Sequence, residues 1–424
     1  MMPRRAAASL AGSLLAAAVL ATGVAAQDPP PPGPADLING LLAGLMGFKD
    51  VSAAELQRDV AEVGGVPFKA PVPLDFITPS ALNAYLKEVL DDEYPATRAD
   101  ADARLLIALD LLPPGTSLRD LRARLLEDNV AGFYDERPGR KKLYAVSEDR
   151  TMTPSNQIVL AHELRHALQD QYIDVHNGVP ESVGDFDDRR VAFMALLEGD
   201  ATLVMERFLM QRLGVPATTA PVDLAAAGFA TPTLSGVPPV LRDHLIVPYL
   251  AGRDFVRALQ ERGGWPAVRQ AWSEPPRSTE QVLHPEKYLA REDPRAVPGP
   301  PPPAGGRVVE EGVLGEALTR TLLGEGNDAA AAGWGGDLYR VWDVGGRTLM
   351  VWRTEWDTAA DGREFHDAVV RRFTRSHGRA RRLHGADLFG RGAWNIGIAA
   401  ARGRVSLVAG DDAGLFAAAL KGER

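Results

Sequence analysis

The chain has no cysteine in 424 residues. That absence excludes disulfides, cysteine metal ligands, a thiol nucleophile and an N-terminal lipidated cysteine. Histidine is scarce, at eight residues, so a pair at ligand spacing carries weight. No basic excess offsets the net charge of −9, which argues against a nucleic-acid partner. Beyond the N-terminal segment there is no apolar run long enough to span a bilayer. What is present is ordinary for a globular protein: 45% hydrophobic and 24% charged residues, in a chain long enough for two or three cores.

Arg4 and Arg5 precede an Ala-rich apolar run over 6–26, and Val24-Ala25-Ala26 offers small residues before Gln27. This reads as a cleaved export signal over 1–26, the alternative being an uncleaved anchor. The expected location is periplasmic or secreted, with no stable membrane insertion after cleavage. Export without disulfides suits a bacterial envelope protein. A Pro-rich stretch, 29–34, follows.

Apolar residues at helical spacing, such as Leu82, Leu86 and Val89, predict a helical subdomain over 27–129. Residues 130–134 and 142–146 read as a hairpin. Thr153 and Pro154 are an N-cap and first helical residue, predicting a helix to about Tyr172, with a second over 187–213. Further helix is expected over 243–272. Residues 294–306 are rich in Pro and Gly and read as a linker. Beyond it, paired strands (339–344 and 347–352, 393–400 and 404–409) and two helices predict an α+β unit over 307–424. It holds five of the seven tryptophans, so it is expected to have its own aromatic core. The whole chain is expected to be α+β, its catalytic part (130–293) mainly helical with a small edge-strand sheet.

The chemistry is carried by His162-Glu163-Leu164-Arg165-His166. Two histidines four apart on a helix put both imidazoles on one face, where both reach one ion. Zinc accepts nitrogen ligands and a carboxylate beside them, although the same ligands would also take another metal. Glu163, next to the first histidine, is placed to act as general base toward a metal-activated water. The alternative is two surface histidines on a polar face. A third ligand is required. Glu198 stands in an otherwise apolar stretch, where a carboxylate is costly unless something pairs with it. Gly199 beside it permits close helix approach. The alternative is a solvated face shared with Asp200 and Glu206.

This combination resembles the gluzincin peptidases, the thermolysin-like group of HExxH zinc enzymes. The resemblance implies that His162, His166 and Glu198 bind zinc and that Glu163 is the base. It covers about residues 130 to 210. Thirty-one residues separate His166 from Glu198, longer than in the type member of the group, so the intervening segment with Asp185, Asp187 and Asp188 is expected to loop out. Together with His162–Gln171, Glu198–Ala201 and the later stretch Pro275–Tyr288, the chain also resembles a set of uncharacterised bacterial exported proteins of metallopeptidase type.

Supporting roles are expected for several residues. Asp170, one turn after His166, is placed to accept its second ring proton. His284 and Tyr288 are candidate donors to a developing oxyanion, against a loop that merely caps the domain. Tyr249 is a weaker candidate for the same role, a core tyrosine being the favoured reading. The strand at Gly132-Phe133-Tyr134 could pair with an extended peptide. His176, His244, His366, His377 and His384 lack ligand spacing. The expected function is zinc-dependent hydrolysis of a peptide or protein substrate. The competing expectation is an inactive zinc-containing binding or scaffold protein of the envelope.

Overall fold

A computed structural model describes residues 51–127, 132–179, 183–214, 236–383, 385–401 and 403–423. The expected signal (1–26), the Pro-rich stretch, the first hairpin residue Val130 and His384 lie outside them. The class is α+β. Among the described residues no helix is long and apolar enough to cross a membrane.

The N-terminal part comprises α1 (Ala53–Val63), β1 (Leu74–Ile77), α2 (Pro79–Glu93), α3 (Ala96–Ala108) and α4 (Leu118–Glu127). Next come β2 (Gly132–Asp135) and β3 (Lys142–Val146), the expected hairpin. β1 adds to it in parallel, giving a three-stranded sheet in the order β1-β3-β2. β2 therefore lies at an edge.

α5 (Pro154–Tyr172) packs beneath this sheet. Its start is fixed by reciprocal bonds: Thr153 Oγ1 accepts from Asn156 N (3.2 Å), and Asn156 Oδ1 from Thr153 N (3.1 Å). α6 (Asp188–Arg212) lies against α5, and α7 (Pro239–Ser273) against α6. α7 starts before the expected Asp243 because Pro239 suits a first turn. Gly264, at φ 66°, breaks it into two helices ahead of Pro266. α5 and α6 are buried on nearly every side, as central helices.

α6 and α7 cross with their backbones in contact. A Cβ on Gly199 would fall 2.0 Å from the Gly252 carbonyl carbon, and one on Gly252 would fall 2.0 Å from the Ala195 oxygen. Only glycine at both positions permits this approach.

The short helices α8 (Thr279–Leu283) and α9 (Pro285–Leu289) lead into the C-terminal unit. It comprises β4 (Arg307–Gly312), α10 (Gly315–Leu323), β5 (Trp334–Val344), β6 (Arg347–Trp356), α11 (Ala359–His377), β7 (Arg381–Leu383), β8 (Ala386–Arg391), β9 (Trp394–Ala401), β10 (Arg404–Gly410) and α12 (Ala413–Gly422). Its sheet is antiparallel, in the order β4-β5-β6-β10-β9-β8-β7. α11 covers one face through Phe365, Val369 and Phe373, and α12 the other through Phe416 and Leu420. β4, β7 and β8 escape the alternation rule because β4 is acid-rich and β7 consists of exposed arginines and a leucine.

Two expectations about this unit change. Its aromatic core is not its own: Trp334, Tyr339 and Trp352 share one continuous cluster with Leu82, Leu86, Leu105 and Leu109 of the N-terminal helices. Segment 294–306 is not a free linker either. Arg340 and Arg353 donate to the carbonyls of Pro300 (2.9 Å) and Pro298 (2.9 Å), pinning it along β5 and β6. Proline runs lack N–H donors but keep carbonyls, and here arginines use them.

Gly252→Ala should destabilise the protein by about 1–3 kcal/mol or more, because backbone rather than a flexible side chain must move. Gly390→Ala, where an added Cβ meets nothing within 4 Å, should stay within about 0.5 kcal/mol of wild type. Urea denaturation of both variants measures the difference.

Candidate metal centre

α5 carries His162 and His166 one turn apart, their Nε2 atoms 3.0 Å from each other. Across the interface, Oε2 of Glu198 on α6 lies 3.1 Å from the first and 3.2 Å from the second. Three donor atoms from two helices thus converge on one point. Tetrahedral zinc ligands held at ~2.0–2.1 Å lie roughly 3.3 Å apart, close to this triangle. Oε1 of Glu198 and Nδ1 of His162 are buried without partners. A nitrogen, nitrogen, oxygen set of this kind fits zinc. The other grouping of ligand type among the described residues is Glu280, Glu292 and Asp357. The Lys287 ammonium fills it, at 2.6, 3.0 and 2.7 Å, so it is an ion-pair cluster.

The electrostatics of these side chains follow from burial and mutual charge. Burial pushes Glu198 up, but His166 and His162 overcome it and hold the carboxyl at about 2. Burial pushes His166 down, yet the Glu198 carboxylate raises it to about 9. Burial holds His162 below its ordinary value. Glu163, also buried, is raised to about 8 mainly by desolvation.

The second ring nitrogen of His166 does not use Asp170, as expected, but Gln169. Nδ1 lies 2.9 Å from Gln169 Oε1. Asp170, one position further round, instead accepts from the Tyr134 hydroxyl (2.8 Å) and pairs with Lys141 (2.8 Å). Gln169 in turn donates to the Leu197 carbonyl (3.1 Å) and to Asp200 (2.8 Å). Asp200 is fully buried and receives Arg165 in a fork, Nε and Nη2 each at 2.9 Å, and Trp272 Nε1 at 3.2 Å. The Arg165 guanidinium lies 5.1 and 5.0 Å from the rings of Trp265 and Trp272. The residues between and beside the ligands therefore fix α5 against α6. Asp200 and Arg165 were not among the expected site residues. Asp200 carried a signal, a second carboxylate in a stretch too apolar to leave a lone ion, but Arg165, inside a polar motif, carried none.

Glu163 points toward the sheet edge. Its Oε2 accepts the backbone N–H of Tyr134 at 3.0 Å, its one hydrogen bond among the described residues. Since neighbouring residues of a strand turn their backbone groups to opposite sides, Tyr134 presents N–H and C=O away from β3. The expected substrate-pairing strand and the expected base are therefore in contact.

His284 and Tyr288 bond to residues other than His162, His166 and Glu198. His284 Nε2 lies 3.0 Å from Glu316 of α10, and the Tyr288 hydroxyl donates to the Glu274 carbonyl at 2.8 Å. Their stretch is a joint: Thr279 donates through N (3.0 Å) and Oγ1 (2.5 Å) to Asp188, at the start of α6, and its Oγ1 accepts from Ala317 N (3.0 Å) of α10. Local periodicity cannot tell a joint from a site, because both need buried polar residues in a loop. The residue brought to the centre is Tyr249. Its ring stacks on His162 at 5.8 Å between centroids. Its buried hydroxyl faces Glu198 without a well-formed hydrogen bond, and burial raises its pKa well above that of a free phenol. The Gly199–Gly252 crossing puts it there, one turn before Gly252.

Compared with known proteins, residues 305–419 match a domain of unknown function (DUF8575). No curated protein and no solved structure is significantly similar to the chain.

Asp200→Ala should cost about 3–5 kcal/mol, because it strands the Arg165 guanidinium in a dry interior. The double variant Arg165→Met/Asp200→Leu should recover much of that loss. Denaturation of the zinc-free forms tests both; equal stability of the single and double variants would remove the pair from its organising role.

Proposed function

We propose that this chain is an exported zinc-dependent hydrolase of peptide bonds, with His162, His166 and Glu198 as metal ligands and Glu163 as general base. One observation carries the reading: three ligand atoms meet within about 3 Å of one another, and beside them an unpaired buried carboxylate touches the backbone of an edge strand. When bound, zinc would lower the pKa of water toward neutrality and polarise a carbonyl oxygen.

The chain's own residues supply the rest. A peptide laid beside β2 in extended form would pair with its outward backbone groups other than the Tyr134 N–H, which Glu163 holds, and so align a scissile bond with the centre. Glu163 accepts the proton of the attacking water at a carboxylate oxygen and delivers it to the departing amine. The Tyr249 hydroxyl, buried beside Glu198 without a well-formed hydrogen bond, would donate to the carbonyl oxygen as charge develops. Gln169 and Asp200 hold the His166 ring against rotation.

A second reading has one observation in its favour. His162, Glu163, His166 and Glu198 are 1%, 3%, 3% and 0% exposed, as in a closed structural zinc site, which would suit an inactive scaffold. Such a site has no use for Glu163, whose carboxylate binds neither a ligand nor another ion.

Digestion of a peptide library separates the two. Zinc-loaded wild type should cleave, and Glu163→Gln should lose about 10²–10⁴-fold in rate with its zinc content unchanged. Equal rates would remove Glu163 as base, and no cleavage by either protein would favour the scaffold. Tyr249→Phe should lower kcat about 10²–10³-fold with KM little changed; an unchanged kcat would reduce Tyr249 to packing.

A further inference from the structure

The net charge of −9 conceals a basic edge: residues 371–382 hold six arginines in twelve positions. Arg372 is committed inward, to Asp110 at 2.5 Å and the Leu322 carbonyl at 3.1 Å. The others are not. Arg371 and Arg375, one turn apart on α11, Arg379 in the turn that follows, and Arg381 on β7 are all exposed, and no acidic group among the described residues lies within ion-pair reach of them. Arg382 approaches Asp387 only at 3.9 Å. Gly378 ends α11 with φ 80° and turns the chain into β7, so helix end, turn and strand form one ridge. β7 is the outermost strand of the large sheet, and its Leu383 is 39% exposed.

A charged, short edge strand guards against strand-to-strand aggregation, which accounts for Arg381 and Arg382. It does not account for Arg371, Arg375 and Arg379, which lie off the strand. Like charges crowded without counter-ions repel, so their concentration in an acidic protein points to an anionic partner. The apolar Leu383 beside them favours a lipid surface over a soluble polyanion, because a bilayer boundary accepts apolar side chains while its phosphates take guanidinium groups.

We propose that the ridge formed by Arg371, Arg375, Arg379, Arg381 and Leu383 docks the protein on an anionic lipid bilayer. Arginine forks engage lipid phosphates and Leu383 enters the headgroup boundary. The ridge lies within the segment matching the domain of unknown function, so that domain gains a role in placement. This inference stands independently of the metal centre.

Co-sedimentation of the full chain with vesicles tests it. Phosphatidylglycerol-containing vesicles should bind the protein at about 0.1 M salt and release it at about 1 M, where screening shortens to roughly 3 Å. Pure phosphatidylcholine vesicles should not bind. The triple variant Arg375→Glu/Arg379→Glu/Arg381→Glu should bind at least about a hundredfold more weakly. A control triple of equal net charge, Arg277→Glu/Arg291→Glu/Arg307→Glu, reverses exposed arginines elsewhere (70%, 78% and 73% exposed side chains) and should bind like wild type. Circular dichroism establishes that both triples are folded. Absence of binding to anionic vesicles, equal weakening in both triples, or capture by a soluble polyanion such as an oligonucleotide without vesicle binding would overturn the proposal.

Discussion

The buried pair between Arg165 and Asp200 is the interaction on which the arrangement depends. α5 carries His162, Glu163 and His166, and α6 carries Glu198, so the proposed centre exists only if the two helices hold one register. The fork from Arg165 to Asp200 sets that register directly, since both residues lie within three positions of a ligand on their own helices. Gln169 repeats the link from the other side of His166. A buried ion pair contributes little net stability, because desolvation offsets its attraction. Its value here is positional: a slip of one residue would leave a guanidinium, a carboxylate and an amide unpaired together. The glycine crossing of α6 and α7 acts with it, bringing Tyr249 and Trp272 to the same network.

The C-terminal unit supports the same geometry from outside. The start of α6 is tied to it by a backbone bond from Asp188 N to the Val313 carbonyl (2.8 Å), and Asp187 accepts Val313 N (3.1 Å). Thr279 bridges Asp188 to α10. Because this unit also shares its aromatic core with the N-terminal helices, the sequence order of helices, centre and sheet does not translate into independently folding pieces. Removing the C-terminal residues would expose one face of the core and release the end of α6.

What was legible in the sequence followed from local rules. Helical spacing placed His162 and His166 on one face, the Thr153-Pro154 cap located the helix start, and an isolated carboxylate in apolar surroundings pointed to Glu198. Gly199 foretold a close crossing, although not its partner Gly252. What failed required knowing neighbours across long sequence separations. Asp170 has the right spacing from His166, but Tyr134 and Lys141, brought over by the hairpin, claim it. His284 and Tyr288 have the right chemistry, but the fold uses their loop as a joint. Segment 294–306 has a linker's composition, yet arginines 40 and 55 positions on, in β5 and β6, hold its carbonyls. Tyr249 was only a weak candidate in the sequence, because nothing local foretold the crossing that puts its ring on His162.

The central claim is that His162, His166 and Glu198 form one metal centre. Elemental analysis of the purified chain, with X-ray absorption at the zinc edge, tests it most directly. The account predicts about one zinc per chain, with a shell of nitrogen and oxygen donors, lost in His162→Ala/His166→Ala and weakened in Glu198→Ala. Wild-type protein without stoichiometric metal after zinc loading, or zinc retained at full affinity by the double histidine variant, would contradict it.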